Sequence, residues 1–152
     1  MASELSNFLP YLLNQAAEQT SRNFQRHYRD RYGMLRTEWR VLFHLGRRGT
    51  MTAKQICEQA GIHKTKVSRA VQALEDKRYL VRRTVERDRR SETLDLTKAG
   101  SAVFADLSEI AASYDRNFET LLGPRDLAAL KAMLAALIDE GAKPLSRMPP
   151  RC

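Results

Sequence analysis

Apolar residues recur every three or four positions in both the first and the last third of the chain, which is the spacing of one face of an α-helix. The pattern predicts a helix over residues 4–31 that ends at Gly33, a long helix over 98–122 with Thr97 as its N-cap, and a last helix over 125–141. The middle of the chain is too short to cover three such faces. We therefore expect the terminal helices to pack against one another and against a second chain.

The middle of the chain predicts three shorter helices followed by a hairpin. The first helix covers about 36–47, and the second begins at Thr52, which stands three residues before Gln55 in a capping-box spacing, and ends at Gly61. The third covers 63–77. Residues 79–96 then change to the alternation of two short strands around a charged tip. Since neither Asn-Gly nor Asp-Gly occurs there, we expect a loop longer than two residues.

This order of elements is that of a helix-turn-helix followed by a wing. The second helix of such a motif lies in the major groove of DNA, with its N-terminal residues at the base edges. The outer face of helix 63–77 offers residue types that bond to bases or phosphates. The candidate DNA contacts on it are His63, Lys64, Thr65, Lys66, Ser68, Arg69 and Gln72.

The hairpin tip places three arginines around one carboxylate, and its residues are Arg87, Asp88, Arg89 and Arg90. An aspartate can hold one guanidinium in a bidentate pair and leave the others to reach outward. Arginine on a narrow protrusion suits the minor groove, where the negative potential rises as the groove narrows. The tip is therefore a second candidate DNA contact.

The charge distribution favours the same partner. The chain has 152 residues and a formal net charge of +8. Residues 63–90 contain ten basic and four acidic side chains, whereas residues 91–152 contain seven basic and nine acidic ones. A concentrated positive segment favours a polyanion, and the acidic last third argues against a uniformly basic protein.

Signatures of other classes are missing from the sequence. No nucleophile elbow, P-loop or dinucleotide fingerprint occurs, so we expect neither an enzyme with catalytic residues nor a bound cofactor. The three histidines lack metal-ligand spacing, and Cys57 and Cys152 lie too far apart in sequence to suggest a zinc site or a disulfide framework. No apolar run is long enough to span a bilayer and no signal peptide is visible, so the expected location is the cytoplasm, without membrane association.

The segment from Trp39 to Gly100 resembles the MarR (multiple antibiotic resistance regulator) family of winged helix-turn-helix proteins. The matching motifs are W-R-V-L at 39–42, A-G-I at 60–62, K-V-S-R-A-V-Q-A-L-E at 66–75, D-R-R-S at 88–91 and L-T-K-A-G at 96–100. The resemblance implies a mostly α fold with a small β-hairpin wing. It implies a winged module over 35–97, flanked by dimerisation helices in 1–34 and 98–152. It also implies a homodimer in which Arg90 enters the minor groove with Asp88 as its orienter.

The resemblance further implies a small-molecule effector. Family members often bind aromatic carboxylates between the dimer helices and the winged module, where an Arg or His can hold the carboxylate and aromatic rings can cover the ligand. The candidate effector residues are Arg26, His27, Trp39, Phe43, His44 and Tyr114.

Two departures from the family pattern stand out. Leu35 occupies a position where many relatives start the second helix with Thr, which makes Thr37 the alternative cap. Peroxide-sensing members use a Cys near the first helix, and here none precedes Cys57, so a thiol sensor is disfavoured.

The expected function is that of a ligand-responsive homodimeric repressor. It would bind a pseudo-palindromic operator through recognition helix 63–77 and wing 81–96. The main alternative is an architectural protein that binds DNA without sequence preference. A protein-interaction module and a basic enzyme acting on acidic substrates are more distant alternatives.

Overall fold

The computed structural model describes residues 2–141, except for the side chains of Ala2, Ser3 and Arg89. The elements in chain order are α1 (Ala2–Ser6), α2 (Leu9–Tyr32), α3 (Arg36–Arg48), α4 (Ala53–Ala60), α5 (Lys64–Asp76), β1 (Leu80–Val85), β2 (Asp88–Leu96), α6 (Lys98–Leu122) and α7 (Pro124–Gly141). The predicted fold class, mostly helical with a small hairpin, is confirmed. The chain divides into two compact units between Ala111 and Ala112, within α6.

The first predicted helix is in fact two helices, so the prediction of one helix over 4–31 is wrong at its start. Helix α1 ends at Ser6, and Phe8 has an extended backbone with φ −70° and ψ 122°. Pro10 stands in the first turn of α2, where a missing N–H costs nothing because the first-turn N–H groups have no helical partner. At the other end Gly33 adopts φ 61° and closes α2, as predicted.

The core of the first unit lies between α3, α4, α5 and the hairpin. Its side chains are almost fully buried, and burial of each large aliphatic one contributes about 1.5–3 kcal/mol. They include Val41, Leu42, Leu45, Ile56, Val67, Val71, Leu74, Leu80 and Leu94. The buried residues of α5 are Val67, Ala70, Val71 and Leu74.

Helix α4 is bounded at both ends by local interactions. The Thr52 hydroxyl accepts the N–H of Gln55 at 3.2 Å, and the Gln55 side chain accepts the N–H of Thr52 at 2.9 Å, which is the predicted capping box. Gly61 ends α4 at φ 62°, a conformation that glycine adopts without a steric penalty. Buried Ile62 follows and fixes where α5 begins.

The hairpin turns more tightly than the sequence predicts. Glu86 and Arg87 alone connect β1 to β2, so the expectation of a loop longer than two residues is wrong. Thr84 pairs with Glu92 whereas Val85 pairs with Asp88, so the surplus residues are accommodated as an irregularity within β2. Met51 adds an isolated antiparallel bridge to Leu94, with hydrogen bonds of 3.2 and 2.7 Å.

The first turn of helix α6 packs closely against the short segment of chain that follows α5. The Thr97 hydroxyl accepts the N–H of Gly100 at 3.0 Å, which confirms Thr97 as the N-cap, and donates to the carbonyl of Arg78 at 2.7 Å. A Cβ atom at Gly100 would lie 1.9 Å from the carbonyl oxygen of Tyr79. Position 100 therefore requires glycine, because any side chain would collide with backbone.

The second unit contains the end of α6 and helix α7, joined at Gly123 with φ 84°. Lys131 of α7 pairs with Asp115 of α6. No residue of α7 is buried, and several of its apolar side chains are exposed, namely Leu130, Met133, Leu137 and Ile138. Across residues 2–141, no helix combines the length and the apolar character needed to cross a membrane.

Candidate nucleic-acid interface

Helix α5 separates its apolar and polar residues onto two faces. The predicted contact residues Lys64, Thr65, Lys66, Ser68 and Arg69 are exposed, while the intervening apolar residues are buried. His63 is the N-cap, and its Nδ1 accepts the N–H of Thr65 at 3.3 Å. The start of α5 thus presents a basic, hydroxyl-rich surface on a helix whose opposite face is fixed in the core.

Gln72 differs from the other predicted contacts on α5. Its side-chain amide donates to Asp76 at 2.9 Å, and its carbonyl oxygen accepts from Arg82 of β1 at 3.2 Å. The structure thus engages both ends of this amide in intramolecular hydrogen bonds and links the residue to the wing.

Arg82 joins the hairpin to α5, and sequence reasoning missed it. Its Nε lies 3.3 Å from Glu75 of α5, and its Nη1 lies 3.4 Å from Glu92 of β2. Arg82 is paired with buried Leu94 in the sheet register, and paired residues point to the same face of a sheet, here the one that packs on α5. The sequence could have revealed Arg82 by its position two residues after Leu80, because this spacing places a charged side chain on the inner face of the strand.

The wing tip is ordered through the backbone. Asp88 accepts the N–H of Arg90 at 3.0 Å and the hydroxyl of Ser91 at 2.9 Å, and these bonds hold the pKa of Asp88 below its ordinary value. Asp88 thus engages the Arg90 backbone, and the bidentate pair with a guanidinium that the sequence suggested is not among the contacts of the described side chains. Arg87 and Arg90 are exposed, and the Arg89 side chain lies outside the described part of the structure.

The far end of α5 is tied to the start of α3 by a buried carboxylate. Glu38 is 5% exposed, accepts the N–H of Leu35 at 3.2 Å and pairs with Lys77 at 3.2 Å. Leu35 stands at the N-cap position and has no side-chain cap bond, so the alternative of Thr37 as the cap is wrong. Since Glu38 accepts the N–H of Leu35 and Lys77 directly follows α5, this ion pair links the start of α3 to the end of α5.

Four of the candidate effector residues lie in one aromatic cluster of the first unit. The ring of Trp39 lies 5.6 Å from those of Phe24 and Phe43, and Phe43 contacts His44 at 5.8 Å. His27 joins the cluster through Phe24 at 5.5 Å. Trp39 and Phe43 are only half-buried.

The two remaining effector candidates are Arg26 and Tyr114. Arg26 is exposed on α2. Tyr114 belongs to the second unit, where its ring contacts that of Phe118 at 5.2 Å.

Positive charge surrounds the aromatic cluster. The guanidinium of Arg47 lies 5.5 Å from the centre of the Phe43 ring. Burial lowers the pKa of His44 below its ordinary value, and the nearby charges of Arg40, Arg48 and Arg47 lower it further. His44 is therefore neutral at pH 7.

Residues 2–141 contain no group of three or more His, Cys, Asp or Glu side chains that could hold a metal ion. Cys57 is a free, half-buried thiol in α4. Cys152 lies outside the described residues.

Comparison with known protein families gives a match to the middle of the chain. Residues 32–91 match the MarR family. This stretch contains α3, α4, α5 and most of the hairpin, which are the elements that build the surface described above. Among curated protein sequences, none matches the chain significantly.

Solved structures extend the similarity to nearly the whole chain. A transcriptional repressor, CouR, bound to a 23-mer DNA duplex is 27% identical, with a TM-score of 0.80 over 91% of this chain and 97% of its own. A MarR family transcriptional regulator from Silicibacter pomeroyi DSS-3 is 27% identical, with a TM-score of 0.76 over 88% and 95%. NadR in complex with 4-hydroxyphenylacetate is 25% identical, with a TM-score of 0.75 over 90% and 94%. Two of these three relatives are named as a transcriptional repressor and a transcriptional regulator.

Proposed function

From the match of residues 32–91 to the MarR family, we propose that this chain is a ligand-responsive, homodimeric transcriptional repressor that binds a pseudo-palindromic operator. One observation carries the proposal. The first turns of α5 expose a basic, hydroxyl-rich face, and Arg82 holds a basic hairpin against the same helix. A recognition helix beside a wing is the geometry that reads two adjacent grooves of DNA.

Each part of this surface has its own role in the proposal. Residues of the first turns of α5, led by Lys66 and Arg69, contact base edges and phosphates in the major groove. Arg90, with Arg87, reaches the minor groove from the wing tip, and a DNA contact by Arg89 remains a prediction from the sequence. Gln72, whose side chain bonds to Arg82, acts by positioning the wing.

Exposed apolar faces support the homodimer. Leu5, Phe8, Leu9 and Leu12 at the start of the chain are 42–70% exposed, and α7 has no buried residue. Soluble monomers rarely leave faces of this kind open to water. In a twofold dimer bound to adjacent half-sites, the two recognition helices would stand about 34 Å apart.

A small aromatic acid is the proposed effector class. NadR, a relative of 25% identity, is solved with 4-hydroxyphenylacetate. The half-buried rings of Trp39 and Phe43 are our candidates for contact with the effector ring, with His27, His44 and Arg26 as polar candidates. Contact of Tyr114 with the effector remains a prediction from the family resemblance. An effector acts only if it binds one conformation of the dimer more tightly than the other.

The experiment is fluorescence anisotropy on a labelled duplex from the region upstream of the protein's own gene, with a scrambled duplex of equal length as competitor. Measurements at two salt concentrations give the slope of log K against log salt, which is about −9 if some ten phosphates are neutralised. We expect at least about a hundredfold preference for the upstream duplex, and a loss of that preference in Arg69→Ala.

Two other outcomes would change the assignment. Equal and steeply salt-dependent binding to both duplexes would favour the architectural alternative, because counterion release carries no sequence information. Failure to bind either duplex, with and without aromatic acids, would contradict DNA binding altogether.

A further inference from the structure

A basic cleft of about 320 Å³ lies beside the proposed DNA surface, between the start of α3 and the start of α5. Its lining contains three basic side chains, one histidine and no carboxylate. The lining residues are Arg36, Thr37, Arg40, Gly61, Ile62, His63 and Lys66. None of the motifs considered in the sequence pointed to Arg36 or Arg40 as a ligand-binding pair.

Arg40 is held in a fixed position within this cleft. Its guanidinium donates to the carbonyl of Ala60, the last residue of α4, which satisfies an acceptor that the helix end leaves open. Partial burial lowers the pKa of Arg40, and the charge of Arg36 lowers it further, so the two cations are close enough to repel each other. A guanidinium has five N–H donors, and the bond to Ala60 leaves others for a ligand.

The positive charge of the cleft is only partly compensated. Arg36 lies 3.0 Å from Glu18, and the same carboxylate lies 3.6 Å from Arg22, so one anion serves two arginines. Lys66 has no ion pair among the described residues. The N-terminus of α5 opens at the same place and adds a positive dipole end.

These features fit a tetrahedral oxyanion of the phosphate class. Two guanidinium groups and an ammonium supply many donors around one anion, and guanidinium geometry matches phosphate oxygens. A cleft of this size also accommodates a phosphate together with part of the chain that bears it. His63 and Lys66 belong both to the cleft and to the face proposed for DNA, which favours a phosphodiester of the DNA backbone as the natural anion.

We propose that this cleft is a phosphate-binding site that receives a backbone phosphodiester at the edge of the major groove contacted by α5. That the phosphate belongs to DNA rests on the proposed function, whereas the binding of an oxyanion in the cleft does not. The site fixes the register of the recognition helix on DNA without reading the sequence, because phosphate contacts position a protein while base contacts specify the site.

The first arm of the test measures DNA binding by Arg36→Gln, with Arg22→Gln as the matched control. Both arginines pair with Glu18, both substitutions remove one positive charge, and only Arg36 lines the cleft. We expect Arg36→Gln to weaken binding to the upstream and scrambled duplexes by the same factor, about three- to tenfold. Its salt slope should be smaller by about 0.9, the value for one phosphate contact.

A substitution that removes a negative charge provides a second test of DNA binding. Glu18→Gln removes the carboxylate that competes for Arg36, so DNA binding should become about two- to threefold tighter on both duplexes. Equal effects of Arg36→Gln and Arg22→Gln would assign the result to net charge alone and would contradict a phosphodiester in the cleft.

The second arm uses inorganic phosphate and no DNA. Titration of the ¹⁵N-labelled protein with phosphate, against chloride at equal ionic strength, should shift the backbone amide signals of Thr65 and Lys66 in the wild type and in Arg22→Gln. The shifts should be absent in Arg36→Gln.

Together, the two arms of the test distinguish a DNA phosphodiester from a free anion as the ligand of the cleft. Phosphate shifts with no specific effect of Arg36→Gln on DNA would overturn the phosphodiester and assign the cleft to a free anion. If the wild type binds neither duplex but shows the phosphate shifts, DNA binding fails while the oxyanion site stands. No phosphate shift and no specific loss of DNA binding would overturn the site.

Discussion

Among the described glycines, Gly100 leaves the least room for an added side chain. A Cβ there would lie 1.9 Å from the Tyr79 carbonyl oxygen, and this carbonyl also accepts the N–H of Thr97 at 3.0 Å. Gly100→Ala should therefore force backbone apart where the wing meets α6, and lower the free energy of unfolding by about 1–3 kcal/mol. Urea denaturation followed by circular dichroism measures this loss.

The matched control for that measurement is Ser101→Ala. Ser101 is exposed on the next position of the same helix, so its substitution should change stability by no more than about 0.5 kcal/mol. Equal stability of the two variants would mean that the crossing of α6 and the Tyr79 backbone is looser than described.

His44 should make stability depend on pH. Its pKa is lowered in the folded protein, mainly by burial, so the unfolded chain binds the proton more readily. The free energy of unfolding should therefore fall as pH falls from the ordinary histidine value of 6.5 toward the lower folded value. The loss between about pH 7.5 and about pH 5.5 should shrink in His44→Gln. An identical pH dependence in both proteins would contradict the lowered pKa.

Single residues were predictable from sequence when their role was local. The capping roles of Thr52, Gly61 and Thr97 involve atoms within four residues of each, so residue type and spacing suffice to predict these roles. The bonds of Arg40 to Ala60 and of Glu38 to Lys77 join residues 20 and 39 positions apart. Only the packing of the helices brings these atoms together, so no local pattern reports them.

At the scale of elements, the wing depends on Arg82 for its attachment to α5. Arg82→Met keeps the aliphatic stem over the inner face and removes the ion pairs with Glu75 and Glu92 and the hydrogen bond to Gln72. Since these pairs are partly exposed, stability should change by about 1 kcal/mol or less. Operator affinity should fall about three- to tenfold, because a freed wing must be ordered when DNA binds. Anisotropy and urea denaturation measure the two quantities.

Arg83→Met is the control for the wing prediction. Arg83 carries the same charge on the same strand, but its side chain is 71% exposed and pairs with Asp95. We expect a smaller loss of affinity, limited to its contribution to the net charge. If Arg83→Met weakens binding as much as Arg82→Met, the contact between wing and helix has no role in DNA binding.

The elements themselves were largely predictable, whereas their irregularities were not. The apolar periods predicted the helices α3 to α7 within a residue or two and placed a hairpin in residues 79–96. The break between α1 and α2 was missed although Pro10 marks it, because the apolar spacing continues through Phe8 and Leu9. The bulge in β2 depends on the Asp88 hydrogen bonds, which the alternation of strand residues does not encode.

At the scale of the whole molecule, charge and apolar surface are segregated along the chain. Basic residues are concentrated in 63–90, while exposed apolar side chains occur near the N-terminus and on α7. The first property suits a polyanion and the second a protein surface, so the proposed DNA contacts and the proposed dimer contacts lie in separate parts of the chain. The proposed homodimer therefore predicts that damage to the apolar ends changes assembly before it changes the winged module.

A chain that ends at Gly123 tests this separation. It lacks α7 and so loses the exposed side chains of Leu130, Met133, Leu137 and Ile138. If these residues pack against a partner, light scattering after size exclusion should show a monomer or aggregates, whereas the full chain should be a dimer. Because α3, α4, α5 and the hairpin have their own buried core, the far-ultraviolet circular dichroism of any soluble monomer should retain the helix content of the remaining residues. A stable dimer of the shortened chain would remove α7 from the interface and leave the N-terminal apolar face as the candidate.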